Sequence, residues 1–299
     1  MNIWFLFLIT SVVSLMSKAF SKLCSNMVAQ SSAAKYSLIL IVNSLVACLF
    51  FWCSGGFFLS LNAPTIGYSV VYALVAAVSL LSNLLVYRYA SISGVNILSS
   101  GCGMVCSTVV GWFVFSEQID ERDLIRLTIM LTAVFFVFLD QKRSGCKEQE
   151  QKNKLISLIL VIAVMTLCSC ANTVVLKLFA ESDAVTDENS FFFFTNVILL
   201  IAALIVFAAV CLRKRGEFRA SVELLRPKRL ISIGGNTVCS NISSLVSVLI
   251  VARMDVSIYS PISSALGIIV GLVGSLIFRE RLGVFAYIAV AVACVALII

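Results

Sequence analysis

The sequence has no histidine and few charged residues, and these shortages exclude several classes of protein. Aspartate, glutamate, lysine and arginine together make up 12% of its 299 residues, about half of their usual share in soluble domains. It contains no GxxxxGK[ST] segment of the kind that binds nucleoside triphosphates. Histidine and aspartate-rich clusters, which usually supply metal ligands and acid–base groups, are missing. We therefore predict that the chain is not an enzyme and that it holds no cofactor and no metal.

The eleven cysteines do not have the spacing of a metal site or a disulfide framework. Pairs such as Cys102/Cys106 and Cys168/Cys170 lack the second pair that such a framework needs. Nearly all the cysteines lie in or beside apolar stretches, where cysteine packs as a small hydrophobic residue. We interpret them as packing residues.

Apolar residues dominate the chain, at 61% of the total. They form stretches of roughly 20 residues, each long enough to cross a hydrocarbon core of about 30 Å. In lipid such stretches should be helical, because a helix satisfies its own backbone hydrogen bonds. We predict an all-α integral membrane protein, multi-pass in the cell (inner or plasma) membrane and surrounded by the lipid bilayer. The ten predicted spans are 2–22, 34–53, 66–87, 93–115, 122–140, 155–176, 190–211, 230–251, 256–278 and 282–299.

The second half of the sequence repeats the first. Residues 111–119 read GWFVFSEQI and residues 274–282 read GSLIFRERL, so that Phe115 matches Phe278 and Glu117 matches Glu280. Self-similarity of this kind indicates a duplicated unit. We predict two five-helix repeats, at 1–140 and 154–299, joined by a polar linker at 141–153. An odd number of spans in each repeat makes the second repeat inverted, as in many secondary transporters.

Lysine and arginine are distributed unequally between the two predicted sides of the membrane. Eighteen fall on the side that carries the linker and the basic link at 212–230, and four fall on the other. The positive-inside rule then places both termini outside. We interpret the net charge of +7 as a topology signal and not as a sign of nucleic-acid binding. The basic link has a second possible role, contact with anionic lipid.

Polar side chains follow helical faces within the predicted spans. Ser11, Ser14 and Lys18 share one face of the first span, and Asn236 and Ser240 share one face of the eighth. These faces should turn away from lipid, either into a helix–helix contact or into a wetted cavity. Asparagine has four hydrogen-bonding sites to satisfy, which favours a cavity. The candidate cavity residues are Ser11, Ser14, Lys18, Asn83, Asn96, Asn172, Thr173, Asn236, Ser240 and Asn241.

Two further residues are singled out by their position. Lys18 lies near the inner end of the first span, where it could extend to the membrane surface or bind an anionic group of a substrate. Pro261 is the one proline inside a predicted span. It should break or kink the ninth helix near its N-terminal end and act as a hinge, because proline lacks the backbone N–H of a continuous helix.

The repeated pattern lies at the corner between the fourth and fifth spans of each repeat. This corner pattern, Phe-x-Glu followed by Ile or Leu, resembles that of the EamA-type drug/metabolite transporter superfamily. It occurs here as Phe115-Ser116-Glu117-Gln118-Ile119 and Phe278-Arg279-Glu280-Arg281-Leu282, with Ser116 and Arg279 where the family usually has glycine. The resemblance covers essentially the whole chain. It implies a central cavity between two repeats that moves small organic solutes, often outward. Ten-span members of the family usually keep their termini inside, whereas the charge distribution here places them outside.

The sequence thus predicts a secondary transporter, either an exporter or a facilitator, for a small-molecule metabolite. It would work by alternating access between the repeats. The alternative is a membrane scaffold or an assembly or regulatory subunit, whose polar faces would contact another membrane protein. No nucleic-acid partner is expected, and the sequence does not indicate an oligomeric state.

Overall fold

The structure is a computed structural model. It describes residues 3–28, 33–60, 62–86, 103, 105–106, 108–116, 121–143, 148–182, 187–213, 218, 221, 225–254, 256–277 and 284–298. Nine long helices lie within these ranges, and no residue of them is in a β-strand. The helices are α1 (Ile3–Val28), α2 (Ala33–Ser54), α3 (Ala63–Val86), α4 (Glu121–Arg143), α5 (Glu148–Ala180), α6 (Glu188–Arg213), α7 (Pro227–Val251), α8 (Val256–Ile277) and α9 (Val284–Ile298).

The helices follow the predicted spans closely. Residues 108–114 are helical as well and fall within the predicted fourth span. Both ends of the predicted polar linker at 141–153 are helical, since α4 extends to Arg143 and α5 begins at Glu148. Glutamate, glutamine and lysine are good helix formers, which explains why these polar residues continue the helices. The eight cysteines whose side chains the structure describes are free thiols.

Four of the described helices are long and apolar enough to cross a membrane: Ala34–Ser54, Leu160–Ala180, Glu188–Arg213 and Arg229–Val251. The candidate span in α6 has a mean hydropathy of 2.8, but only 17% of its most apolar window is buried inside the protein. Its exposed side chains include Ile201, Leu204 and Ile205. A continuous apolar surface of this kind needs a surrounding that is not water. The described part of the chain is therefore that of a helical membrane protein.

The chain forms two compact units, neither of which coincides with a predicted sequence repeat. The first contains Met1–Leu15, Val78–Lys177 and Leu249–Ile299, and the second contains Met16–Ala77 and Leu178–Val248. Each unit therefore combines residues from both halves of the sequence.

In the first unit, α4, α8 and α9 pack against one another. The rings of Phe136 and Phe285 join α4 to α9, with 6.2 Å between their centroids. Phe7 of α1 stacks on Tyr259 of α8 at 6.1 Å. Aromatic pairs at such distances add to the stability gained from burying the rings.

In the second unit, α2 and α6 form the most extensive helix pair. Their core is aromatic: Phe51 stacks on Phe192 with a centroid distance of 5.0 Å, and Phe179 lies 4.1 Å from Phe191. All four rings are buried. The first two of the four phenylalanines at 191–194 thus fill the centre of this unit at the start of α6.

Residues next to each helix cap the start of α6 and the end of α2. The Asp187 carboxylate accepts backbone N–H bonds from Asn189 and Ser190, as an N-cap residue does for the first turn of a helix. At the end of α2, Gly56 adopts a φ of 65° and Phe57 one of 66°. Backbone bonds from Gly56 to Cys53 and from Phe57 to Trp52 close the helix in a Schellman motif.

Candidate functional site

Two predicted cavity residues of α7, Asn236 and Ser240, contact Ser17 of α1 within the second unit. The Ser17 hydroxyl donates to Oδ1 of Asn236 at 2.9 Å and lies 3.0 Å from the hydroxyl of Ser240. All three side chains are half-buried. Asn236 and Ser240 are one helical turn apart, so a single serine can contact both.

A close helix approach holds this contact in place. The Phe20 ring of α1 lies against Gly235 of α7, where an added Cβ would come within 3.0 Å of the ring. The Ser232 hydroxyl also reaches the Phe20 carbonyl oxygen, at 3.5 Å. Contacts therefore move backward along α7 as they move forward along α1, which makes the two helices antiparallel. Glycine at 235 permits the approach because it has no side chain.

The adjoining face of α7 contacts α2. The Thr237 hydroxyl lies 2.5 Å from Oδ1 of Asn43 and 2.9 Å from the carbonyl oxygen of Ile233. One turn further along this face, Asn241 is 8% exposed, and its amide nitrogen has no hydrogen-bond partner among the described residues. A buried amide without a partner costs about 1–3 kcal/mol. We name these six residues the α7 polar cluster: Ser17, Asn43, Asn236, Thr237, Ser240 and Asn241.

The α7 polar cluster lies at mid-depth in the helices that could cross a membrane. Ser240 is at the middle of Arg229–Val251, and Asn43 is next to the middle of Ala34–Ser54. Polar groups at this depth are costly in hydrocarbon unless they bond to protein, water or a ligand. The polar side chains of the cluster at this depth therefore need partners in protein, water or a ligand.

The chemistry of the α7 polar cluster is that of neutral hydrogen bonding. Its six side chains are amides and hydroxyls, which donate and accept hydrogen bonds without carrying charge. The carbonyl oxygens of Asn236 and Asn43 already accept bonds from Ser17 and Thr237. The buried NH₂ group of Asn241 is then the clearest unused donor, and it suits an acceptor such as a carbonyl or carboxylate oxygen.

The first unit also holds buried polar atoms without a hydrogen-bond partner among the described residues. They are the hydroxyls of Thr108 and Thr166 and the carbonyl oxygen of Asn172. Thr108 is 2% exposed and Thr166 is 6% exposed. Asn172 was predicted as a cavity residue, and its half-buried side chain is compatible with that role.

Other predicted residues satisfy their hydroxyls locally. Ser11 donates to the Phe7 carbonyl oxygen of its own helix at 2.8 Å, and Thr173 does the same with Ser169 at 3.1 Å. Ser14 is half-buried in α1. The structure places these three residues in the first unit.

Several predictions concern residues outside the described part of the chain. Asn96, Glu117, Phe278 and Glu280 are among them, and Lys18, Asn83 and Pro261 are described as helical backbone without their side chains. The helix α8 runs from Val256 to Ile277 without a break. Pro261 therefore does not interrupt the helix, and a hinge at this position stays a prediction.

One half of the predicted corner is visible. Phe115 follows the helical residues 108–114, and the Lys177 ammonium lies 5.7 Å from the centre of its ring. Such a contact between a cation and an aromatic face is attractive. The next residue, Ser116, has a φ of 51° in the left-handed region. Glycine adopts this conformation readily, and serine does so at a cost.

Sequence reasoning missed three members of the cluster as site residues: Ser17, Asn43 and Thr237. Thr237 lies on the strip next to Asn236, one residue along the same helix, so its position offered a signal. Ser17 lies three residues after Ser14, which continues the helical spacing of Ser11 and Ser14. Asn43 is isolated in an apolar span, and only the neighbouring helix reveals its partner.

A solved structure described only as "Crystal structure of protein" superposes on this chain with a TM-score of 0.61. The match covers 98% of this chain and 94% of that chain at 12% sequence identity. No family model and no curated protein matches the sequence. The structural likeness extends over almost the entire length of both chains, and at this identity it establishes a shared fold alone.

Proposed function

We propose that the protein is a secondary transporter of the drug/metabolite type, which exports small organic solutes or facilitates their diffusion across the cell membrane. The α7 polar cluster carries the proposal, since it provides hydrogen-bonding groups at the depth where such transporters bind their solutes. Two inverted five-helix repeats would rock around this position by alternating access. The duplicated sequence pattern supports this mechanism.

The cluster favours a solute that forms several hydrogen bonds. Within the second unit, amide and hydroxyl groups of α7 contact Ser17 of α1 on one face and Asn43 of α2 on the adjoining face, where Asn241 also lies. A bound carbonyl or carboxylate oxygen would give the Asn241 amide the partner that it lacks. A solute with both polar and apolar parts would also suit the apolar helices around the cluster.

Uptake into vesicles tests the proposal. The purified protein is reconstituted into liposomes and offered a panel of radiolabelled amino acids and other small metabolites. We expect at least one solute to accumulate faster than in empty liposomes. The change Asn241→Ala should reduce this transport by about tenfold, the effect of losing one well-formed bond to the solute.

The matched control is Asn196→Ala. Asn196 is a half-buried asparagine of α6 whose amide donates to the Phe192 carbonyl oxygen of its own helix, at 2.8 Å. Transport should survive this change. Equal loss in both variants would show that asparagine removal acts through folding, and absence of uptake for the entire panel would favour a role as a membrane scaffold.

A further inference from the structure

A second feature of the second unit lies away from the α7 polar cluster, where α2 ends and α6 begins. A cleft of about 480 Å³ opens there between the two helix ends. It is lined by Ser54, Gly55, Phe58, Leu59, Ser60, Asp187 and Asn189. One wall is therefore apolar, and the rest offers hydroxyl, amide and carboxylate groups.

The level of this cleft relative to a membrane follows from the two helices. Ala34–Ser54 ends here, and Glu188–Arg213 begins here. The Ser54 hydroxyl donates to Oδ1 of Asn189 at 2.7 Å, so the two ends are at the same height. The ends of two membrane-crossing helices lie at the level of lipid headgroups.

The turn beside the cleft exposes aromatic rings. Trp52 is 42% exposed, Phe57 is 63% exposed and Phe58 is 83% exposed. The ring of Phe57 meets Trp52 edge-on with 5.3 Å between centroids, and the Schellman motif fixes both. Aromatic residues are enriched at this level of membrane proteins, where their rings lie among lipid headgroups and upper acyl chains.

The charges of the cleft favour a cation. Among the described residues that line it, Asp187 is the one with an ionisable side chain, and Glu188 follows in sequence. Each carboxylate oxygen can accept about two hydrogen bonds. Oδ2 of Asp187 accepts bonds from the backbone and the hydroxyl of Ser190, and Oδ1 accepts one from the backbone of Asn189. Oδ1 can therefore accept one further donor.

The remaining polar groups favour a phosphate next to that cation. The side-chain carbonyl oxygen of Asn189 accepts the bond from Ser54. The NH₂ group of the same side chain can donate to a phosphate oxygen. We propose that the cleft binds the headgroup of a phospholipid with a primary ammonium, phosphatidylethanolamine. The ammonium bonds to Asp187, and the exposed rings of Phe57 and Phe58 pack on the lipid's acyl chains.

The proposal is tested by thermal unfolding of the purified full-length protein in detergent micelles with added lipid. Phosphatidylethanolamine, phosphatidylcholine and phosphatidylglycerol with identical acyl chains are compared, because a ligand that binds the folded state raises the Tm. We expect the largest rise with phosphatidylethanolamine. Glycerophosphoethanolamine, which has the headgroup without acyl chains, should raise the Tm less, and an equal rise would assign the cleft to a soluble ligand and overturn the lipid assignment.

Two variants and one control locate the effect. Asp187→Asn keeps a side chain that caps helices well and should lower the apparent affinity for phosphatidylethanolamine by up to about fivefold. Phe58→Ala should weaken binding of all three lipids. Leu212→Ala, at the far end of α6 and 84% exposed, should change neither.

Equal stabilisation by the three lipids in the unaltered protein would contradict the proposal, as would an Asp187→Asn protein that keeps the preference. If Asp187→Asn does not fold, Ser54→Ala replaces it, with the same loss of preference expected because Ser54 orients Asn189. The readout is independent of transport, so failure of this proposal leaves the proposed transport function untouched.

Discussion

The hydroxyl of Ser17 bonds to the side-chain oxygen of Asn236 at 2.9 Å, across 219 positions of sequence. This bond joins the first helix to the seventh within one compact unit. It also brings Ser240 into contact, at 3.0 Å from the same hydroxyl. The α7 polar cluster is built around this relationship.

The bond between Ser17 and Asn236 should contribute a modest coupling energy. We expect a double-mutant cycle of Ser17→Ala and Asn236→Ala to give about 0.6 kcal/mol and at most ~1.7 kcal/mol, as for other hydrogen bonds between membrane helices. The measurement is reversible unfolding in mixed micelles. Ser11→Ala combined with Asn236→Ala is the control pair, since Ser11 bonds to its own helix, and a coupling equal to that of Ser17 would contradict the assignment.

The packing of α1 on α7 predicts opposite outcomes at adjacent glycines. Gly235→Ala places a methyl group within 3.0 Å of the Phe20 ring and should destabilise the protein by about 1–3 kcal/mol. Gly234→Ala meets nothing within 4 Å and should be neutral or stabilise by up to ~1 kcal/mol, because alanine is the better helix former. The Tm of both variants in detergent decides this, and equal values would show that α1 does not approach α7 at Gly235.

The left-handed backbone at Ser116 predicts a stabilising change. A non-glycine residue with this backbone conformation destabilises the folded state by about 1 kcal/mol. Glycine would remove that strain, but it would also give the unfolded chain more conformational freedom, which offsets part of the gain. We expect Ser116→Gly to stabilise the protein by about 0.5 kcal/mol. Ala202→Gly, on the exposed face of α6, should instead destabilise by about 0.5–1 kcal/mol. Thermal unfolding compares the two, and a destabilised Ser116→Gly protein would contradict the left-handed assignment.

The positions of the apolar helices were predictable because length and hydropathy are local properties. The predicted interval 34–53 corresponds to the helix Ala33–Ser54, and the predicted interval 256–278 corresponds to the helix Val256–Ile277. The linker was less predictable, since the spacing of apolar residues does not reveal that polar residues such as Glu148 continue a helix. Membership of the family, the inverted repeats and the crossing of all ten spans stay predictions.

The candidate site was predictable in part. Helical spacing groups Asn236 with Ser240 on one face, and in the structure both contact Ser17. Spacing did not identify Asn43 as the partner of Thr237, because 194 residues separate them and only tertiary packing brings them together. Nor did it distinguish Ser11, whose hydroxyl bonds within its own helix, from Ser17, whose hydroxyl bonds to another.

The charge distribution predicts a definite topology. Small epitope tags inserted in 141–153 and in 212–230 should both be accessible from the cytoplasm, because those segments carry most of the basic residues. A tag in the turn at 55–60 should be accessible from outside the cell. Antibody labelling of intact and permeabilised cells measures this, and opposite locations for the first two tags would exclude the predicted span count.

Water access at mid-depth tests the central claim, that the α7 polar cluster lines a solute path. Two single-cysteine proteins are compared in membranes with a water-soluble thiol reagent: one carries Ser240→Cys, and the other keeps the native Cys239, which is 8% exposed. We expect faster modification at position 240 than at 239, and slower modification at 240 when the transported solute is present. Equal and negligible reaction at both positions would mean that the α7 polar cluster is a dry helix–helix contact and would contradict the account.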